Sequence, residues 1–319
     1  MGVADFLPSA PLQTLKKRAQ VLREVRAFFY ERDILEVDVP VFSEYSVTDC
    51  HVEALQTSLR GQTLYLQTSP EYYLKRLLAA GAPSLFYLGP AFRNDEHGRF
   101  HRPEFKMLEW YRIGFNEQQL VAEVLQLLER LAKLFAVDLS VNLCTYGELF
   151  ERVLGLCPYR AKCEQLEVLA REKTGFYSSL PDKSAWLDLL FSHCVEPAMG
   201  AGATVVTQYP LEQSALARCG VNEKNQTIAH RFEVFWNGIE LANGYWELRD
   251  MPEQRRRFES DQRQRKDRGL AVPEIDLKFL AALDHGLPDC SGVALGLDRL
   301  LLCLLDETDI AKVMPFAHY

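Results

Sequence analysis

Apolar positions recur along the chain in two rhythms, and their succession lays out its elements. Between Leu12 and Arg32 the residues Leu15, Ala19, Leu22, Val25 and Phe29 return every three or four positions, one stripe along a helix. Leu35 to Pro40 then alternates apolar with polar and stops at a proline, as a short strand does. Strand-like pieces follow at Val52 to Leu59 and Leu64 to Thr68. Ser69-Pro70-Glu71 opens the next helix, with Ser69 placed as cap, Pro70 in the first turn and Glu71 at the positive end of the dipole. That helix is expected to reach Ala80.

Leu85 to Arg93 and Glu104 to Arg112 read as two strands joined by a polar loop. Glu117 to Phe135 is a long amphipathic helix, and residues 145 to 201 are expected to form a helical insertion. Thr204 to Tyr209 reads as a strand, and Glu233 to Glu247 as a hairpin turning at Asn237-Gly238. Helices are expected at Pro252 to Arg268 and Pro273 to His285, then strand, turn and helix over Gly292 to Leu305. Strands mostly follow strands, which predicts an α+β fold: an antiparallel sheet flanked by helices, in one domain over residues 1 to 319.

Composition narrows the class. The 319 residues are 48% hydrophobic and 25% charged, far from a disordered chain. No apolar run approaches the ~20 residues of a bilayer span, and Met1 to Pro11 lacks the pattern of a secretory leader. A net charge of −8 argues against a protein whose main task is gripping nucleic acid, although a local basic patch stays compatible with it. The eight cysteines are scattered, without a CxxC pair or a zinc spacing, and read as reduced thiols of a cytoplasmic protein.

Three polar clusters fall on predicted strands or at their ends. The first runs Phe92-Arg93-Asn94-Asp95-Glu96, then His101-Arg102-Pro103-Glu104-Phe105. An arginine ending an apolar strand is costly unless an anion meets it; that anion is a carboxylate or phosphate ligand, or simply Glu104 or Glu109. The second is Glu233 to Glu247, where Glu233, Glu240 and Glu247 border an apolar hairpin. Such carboxylates suit Mg²⁺ shared with a polyphosphate, an ammonium group, or a face open to water. The third, Ser291-Gly292-Val293-Ala294-Leu295-Gly296-Leu297-Asp298-Arg299, puts small residues on a strand and Arg299 at a helix start. Neither GxxxxGK[ST] nor GxGxxG occurs, so a nucleotide site would be of another kind.

In this order the clusters resemble the three signature motifs of class II aminoacyl-tRNA synthetases: Arg18 to Pro40, Phe92 to Tyr111, and Gly292 to Arg299. The second cluster and the stretch Thr68 to Leu77 look like the lysyl-tRNA synthetase branch. Motif 1 begins near residue 15, which leaves no room before it for that branch's anticodon-binding barrel. A catalytic core of this kind is similar to the bacterial elongation factor P–(R)-β-lysine ligase family, as are the stretches Gly238 to Gly244 and Asp289 to Gly296.

The resemblance implies a ligase that converts ATP to AMP and pyrophosphate. It implies (R)-β-lysine as substrate, elongation factor P as acceptor, Mg²⁺, a homodimer built on motif 1, and no tRNA partner. By the same resemblance Arg93 and Arg299 are the catalytic cations, on the α- and γ-phosphates. Phe105 stacks on adenine, which Asp95, His101 and Arg102 frame; Asn94, Leu241 and Gly296 border the nucleotide. Glu233 and Glu240 hold Mg²⁺. Ser69, Pro70 and Glu71 meet the amine near the substrate's carboxylate, and Glu247 with Tyr111 its distal ammonium. Ala294, where lysyl-tRNA synthetases usually have glycine, narrows the pocket toward the β-isomer. Asp95 and Arg102 depart from the glutamate and asparagine common at their places. Two other readings share these residues: a small enzyme charging tRNA, and an inactive paralogue that senses an amino acid. A charged helix with Arg255, Arg256, Arg257, Arg263, Arg265, Lys266 and Arg268 is interleaved with acids and reads as a solvated face.

Overall fold

The stripe near the start of the chain is helix α1 (Leu12–Tyr30) in the computed structural model, which describes residues 6–94 and 97–317. It buries Val21, Val25, Phe28 and Phe29. Strand β1 is only Leu35–Glu36, because Val37 and Val39 turn to pack with Leu74 and Phe279. Strands β2 (Phe42–Ser43), β3 (Gln56–Leu59) and β4 (Gln62–Leu66) make a small sheet of their own. Helix α2 (Glu71–Ala79) starts as expected, but Pro70 takes the cap position and Ser69 does not cap. The Ser69 hydroxyl accepts only a long bond, 3.5 Å, from the Glu71 N–H. Strands β5 (Leu85–Phe92) and β6 (Glu104–Ile113) and helix α3 (Glu117–Leu134) lie where the pattern put them, α3 being closed by an Asn116 capping box.

Strand β7 (Val141–Thr145) leads into helices α4 (Tyr146–Leu154), α5 (Cys163–Thr174) and α6 (Lys183–Leu190). Helix α6 continues through a π-turn at Phe191–Val195 to a short 3-10 turn at Glu196–Ala198. After β8 (Ala203–Thr207) comes a second small sheet that the pattern did not show: β9 (Tyr209–Pro210), β10 (Cys219–Val221) and β11 (Thr227–Ala229). Strands β12 (Arg231–Trp236) and β13 (Ile239–Trp246) form the expected hairpin, with Asn237 and Gly238 both at positive φ. Helix α7 (Met251–Asp267) is capped by Asp250. Helix α8 (Leu277–Gly286) starts later than the expected Pro273, because Asp276 caps it there. Strand β14 (Cys290–Gly296) feeds directly into α9 (Leu297–Leu304), with no turn between them. Among the described residues no helix is long and apolar enough to cross a membrane.

The main sheet has eight strands in the order β1-β5-β6-β14-β13-β12-β8-β7. Its centre is antiparallel, as expected, but both edge pairs, β1 with β5 and β7 with β8, are parallel. Each edge pair is joined by a long crossover, and only such a connection lets neighbouring strands run the same way. Period-two alternation splits the side chains cleanly. Leu108, Trp110, Val234, Leu241, Val293 and Leu295 join one core with α1, α3 and α9. Among the described residues the other face packs at one end with α2, α7 and α8 around Leu74, Phe258 and Phe279, and at the other with α4 to α6 around Tyr146 and Phe191. A groove crosses the sheet between them.

Candidate active site

Strand alternation decides what faces the groove at the α2 end. On β6, Glu109 and Tyr111 point into it, and the β14 residues paired with them are Ala294 and Gly292. A Cβ at position 292 would lie 2.2 Å from Tyr111 Cε1 and 2.6 Å from Glu247 Oε1, so glycine is what lets those two side chains meet. Helix α2 brings Glu71 and Lys75 one turn apart. Lys75 is 1% exposed, and its Nζ lies 2.6 Å from both Glu71 Oε1 and Glu247 Oε2. The ring of Tyr111 and that of Phe279 flank it at 6.0 and 5.9 Å.

The distal-ammonium partner expected of Glu247 is therefore already half engaged by an internal ammonium. Its other oxygen, Oε1, is buried without a hydrogen bond. Glu109 repeats the pattern: Oε1 accepts from the Tyr111 hydroxyl at 2.9 Å, and Oε2 is buried with no partner. Glu109 thus turns one oxygen to Tyr111. Burial pushes the Glu247 carboxyl up to about 7, Glu71 adds to the rise, and Lys75 opposes it. Burial and then Glu71 also hold Glu109 well above the carboxylate range. Burial works against the charge on Lys75, but the two carboxylates prevail and keep it protonated. Burial and mutual repulsion thus resist the ionisation of Glu109 and Glu247, and Lys75 alone does not offset three carboxyl groups. A buried charge in that state calls for a partner, and a ligand with two ammonium groups supplies two.

Lys75 was not singled out by the sequence motifs, and Glu109 only as a counter-charge for Arg93. The available signals were the i to i+4 spacing of Lys75 from Glu71, and the alternation of Glu109 with Tyr111 on one strand.

The next stretch of the groove gathers the arginines. Arg93 follows β5; its N–H donates to Pro103 O at 2.9 Å, its Nε lies 3.4 Å from Thr68 O, and its guanidinium sits 5.3 Å from the Phe105 ring. Asn94 is exposed and its N–H donates to Glu53 O at 2.7 Å, while Asp95 lies outside the described residues. Arg299, in the first turn of α9, donates from Nη1 to Glu240 O at 2.9 Å and from Nε to Phe100 O at 3.3 Å. A Cβ at Gly296 would meet nothing closer than the Arg299 stem at 3.8 Å, so the space above it is open to a ligand.

Two residues expected to border the nucleotide turn elsewhere with their side chains. Arg102, expected to frame adenine, is drawn into its own loop. Its Nη1 donates to the carbonyls of Gly98 and His101, and its Nη2 lies 3.5 Å from Asp309, so it props the loop that carries His101. Leu241 sends its side chain into the core on the far face, leaving only its main chain for a nucleotide. Asp298 is also turned away: buried, it pairs with Arg18 and accepts from the Lys106 N–H at 2.7 Å, tying α1 and β6 to α9.

Glu233 and Glu240 stand where β12 and β13 bulge apart after Val234. Glu233 Oε2 accepts from the Tyr209 hydroxyl at 2.7 Å, and Oε1 pairs with Arg231. Glu240 is half exposed, 3.6 Å from Arg299. Burial raises the Glu233 carboxyl despite Arg231, with Glu240 adding to the rise. Burial, then Glu233 and Glu240, push neighbouring Glu196 up to about 7. Among the described residues no three ligating side chains converge as a metal cluster. Magnesium does not need one, since it keeps waters, shares phosphate oxygens and takes one or two carboxylates. The hard oxygen donors and their mutual repulsion therefore fit that ion.

Residues 3–319 match the family described as tRNA synthetases class II (D, K and N). The chain is 42% identical to an elongation factor P–(R)-β-lysine ligase of Vibrio cholerae, over 99% of its own length and 98% of that relative. It is 44% identical to the ligase of that name from Haemophilus influenzae, over 97% of its length and 96% of that relative. A third so named, from Yersinia enterocolitica, is 43% identical over 98% and 97%.

Proposed function

This chain belongs to the class II tRNA synthetases (D, K and N), and from that premise we propose that it is an ATP-dependent ligase acting on (R)-β-lysine. It forms the aminoacyl-adenylate and passes the acyl group to a lysine side chain of elongation factor P. The observation that carries this reading is the geometry at the α2 end: three carboxyl groups gathered around one internal ammonium, with an oxygen of Glu109 and one of Glu247 buried and still to be paired. Such a pocket repels the side chain of an acid and leaves an amide short of charge, but it matches a diamino acid. Relatives of nearly equal extent, each named for this activity, support the same choice. Ala294, paired with Glu109 across the strands, supports this choice, because in this reading its methyl narrows the pocket where the amine positions of α- and β-lysine differ.

The chemistry asks for position more than for a base. The substrate carboxylate is already a nucleophile, and in-line attack on the α-phosphorus releases pyrophosphate. Arg93 steadies the charge that builds on that phosphoryl group, and Arg299 holds the far phosphates of a bent ATP. Phe105 offers adenine the ring face not taken by Arg93. Mg²⁺ on Glu240 and Glu233 neutralises phosphate charge when bound. Glu71, Glu109 and Glu247 orient the two ammonium groups.

The protein is read as a cytoplasmic homodimer joined through residues 18 to 40, where Tyr30 and Leu35 are exposed. A monomer in sedimentation at micromolar concentration removes that part of the reading. The main test is the intact mass of elongation factor P after incubation with this enzyme, ATP, Mg²⁺ and (R)-β-lysine, beside a tube with α-lysine and tRNA. One β-lysyl unit gained by the protein is the expected result. An unmodified factor together with charged tRNA overturns it.

A further inference from the structure

At the insertion end of the groove lies a cavity of about 860 Å³. One wall is a single face of the run from α6 through the π-turn, presenting Asp188, Leu189, Ser192 and Glu196. Interruptions of this kind re-aim side chains and are frequent at functional positions. The opposite wall is the sheet, at Arg231, Glu233 and Glu240. Arg93, Phe105 and Arg299 do not line the cavity, and neither do Glu71, Lys75, Glu109 or Glu247. It is thus distinct from both the adenine end and the diamino-acid pocket, and it meets them where the phosphates belong.

The floor of the cavity is polar and incompletely satisfied. Gln213 is 7% exposed; its Nε2 donates to Asp188 Oδ1, and its Oε1 has no hydrogen bond of ordinary geometry. The fully buried Tyr146 hydroxyl is in the same state, though close enough to Gln213 to feel it. A buried carbonyl without a donor is costly to leave unpaired, so a donor brought by a ligand is favoured there. Phe176 and Leu180 are half-buried along the side, and His51, Ser179 and Pro181 form an exposed rim. Carboxylates outnumber the arginines here, which disfavours a nucleic-acid phosphate and favours a cation.

We propose that this cavity receives the acceptor protein's lysine side chain, with its ammonium on Asp188 and Gln213 Oε1 and its methylene stem along Phe176 and Leu180. The proposal rests on the activity read above and adds the place of the second substrate. Apolar flanks with a carboxylate beyond them suit an amphipathic lysine stem and head. The transfer balances as follows. The ammonium gives one proton to water at the open rim. Its nitrogen bonds to the acyl carbon, the carbon–oxygen bond to AMP breaks, and AMP leaves with the electron pair. The nitrogen loses a second proton to water as the amide forms.

The test compares Asp188→Asn, Gln213→Leu and Tyr146→Phe with the parent protein in three assays. These are ATP–pyrophosphate exchange with (R)-β-lysine, acyl transfer to elongation factor P, and acyl transfer to hydroxylamine. Exchange and the hydroxylamine reaction are expected to hold. The KM for the acceptor protein should rise by about 10- to 100-fold in Asp188→Asn and Gln213→Leu, the loss of a hydrogen bond to a charged group. Tyr146→Phe keeps the packing and should move the same KM in the same direction by less. An unchanged acceptor KM overturns the proposal, as does an equal fall in all three assays. Transfer to tRNA that depends on Asp188 would give the cavity to a nucleic acid instead. Absence of exchange in the parent protein would overturn the activity reading and this proposal with it, whereas normal exchange with an unchanged acceptor KM overturns this proposal alone.

Discussion

The two ends of the groove use the same residue types to opposite effect. At the α2 end, Glu71, Glu109 and Glu247 are drawn together around a buried lysine, and Glu247 is fully shielded from water. At the insertion end, Asp188, Glu196, Glu233 and Glu240 stand around an open cavity and crowd one another electrostatically. In the closed pocket an internal cation takes one oxygen of Glu71 and of Glu247, so the ligand is selected by how many charges it brings. In the open one Arg231 takes Glu233 and Arg299 lies near Glu240, but among the described residues no ion pair holds Asp188 or Glu196, so that wall can greet a cation that arrives and leaves. Packing, more than composition, separates a specificity pocket from an approach route.

The largest expected difference between the ends is in stability. Lys75→Met leaves two buried carboxylates facing each other and should cost about 3–5 kcal/mol, seen as a lower urea midpoint. Asp188→Asn should cost far less, and equal losses would erase the contrast. Next comes Glu247→Gln, expected to cut lysine-dependent exchange by about 100-fold while ATP still binds by calorimetry. Unchanged exchange kinetics in that variant take Glu247 out of ammonium recognition. Ala294→Gly should relax discrimination against α-lysine by about 10-fold, within the range one methyl commands. A constant ratio of kcat/KM for the two isomers removes Ala294 as the wall.

The smallest effect is a pH dependence. The Glu247 carboxyl is pushed up to about 7 from an ordinary 4.5, mainly by burial. Its favourable contribution to the free protein is therefore full below about pH 4.5 and lost as pH rises through about 7. A ligand ammonium needs the ionised form, so stabilisation by β-lysine should grow over the same window, by about 1 kcal/mol. Melting with and without β-lysine near pH 6 and near pH 8 checks this. A gap that does not widen shows that Glu247 does not titrate in the site.

Local signals carried much of the architecture. The stripe of α1, the alternation of β5 and β6 and the Asn-Gly turn of the β12–β13 hairpin each stand within a few neighbouring residues, and all three elements formed. Two residues that the motifs set apart in the sequence, Glu240 and Arg299, do meet in the fold, where Arg299 Nη1 donates to Glu240 O. Contacts between distant segments were another matter. Lys75 reads as one more helix cation until the end of β13 brings Glu247 against it, and nothing near Arg102 in the sequence announces Asp309, which arrives from the other end of the chain. The parallel edges of the sheet follow from crossovers whose direction no local period encodes. The Asp188–Gln213 floor exists only because the insertion folds back over the sheet. Periodicity and capping are properties of neighbouring residues and survive in the sequence alone, whereas which oxygen of a buried carboxylate is left for a ligand depends on every group packed around it.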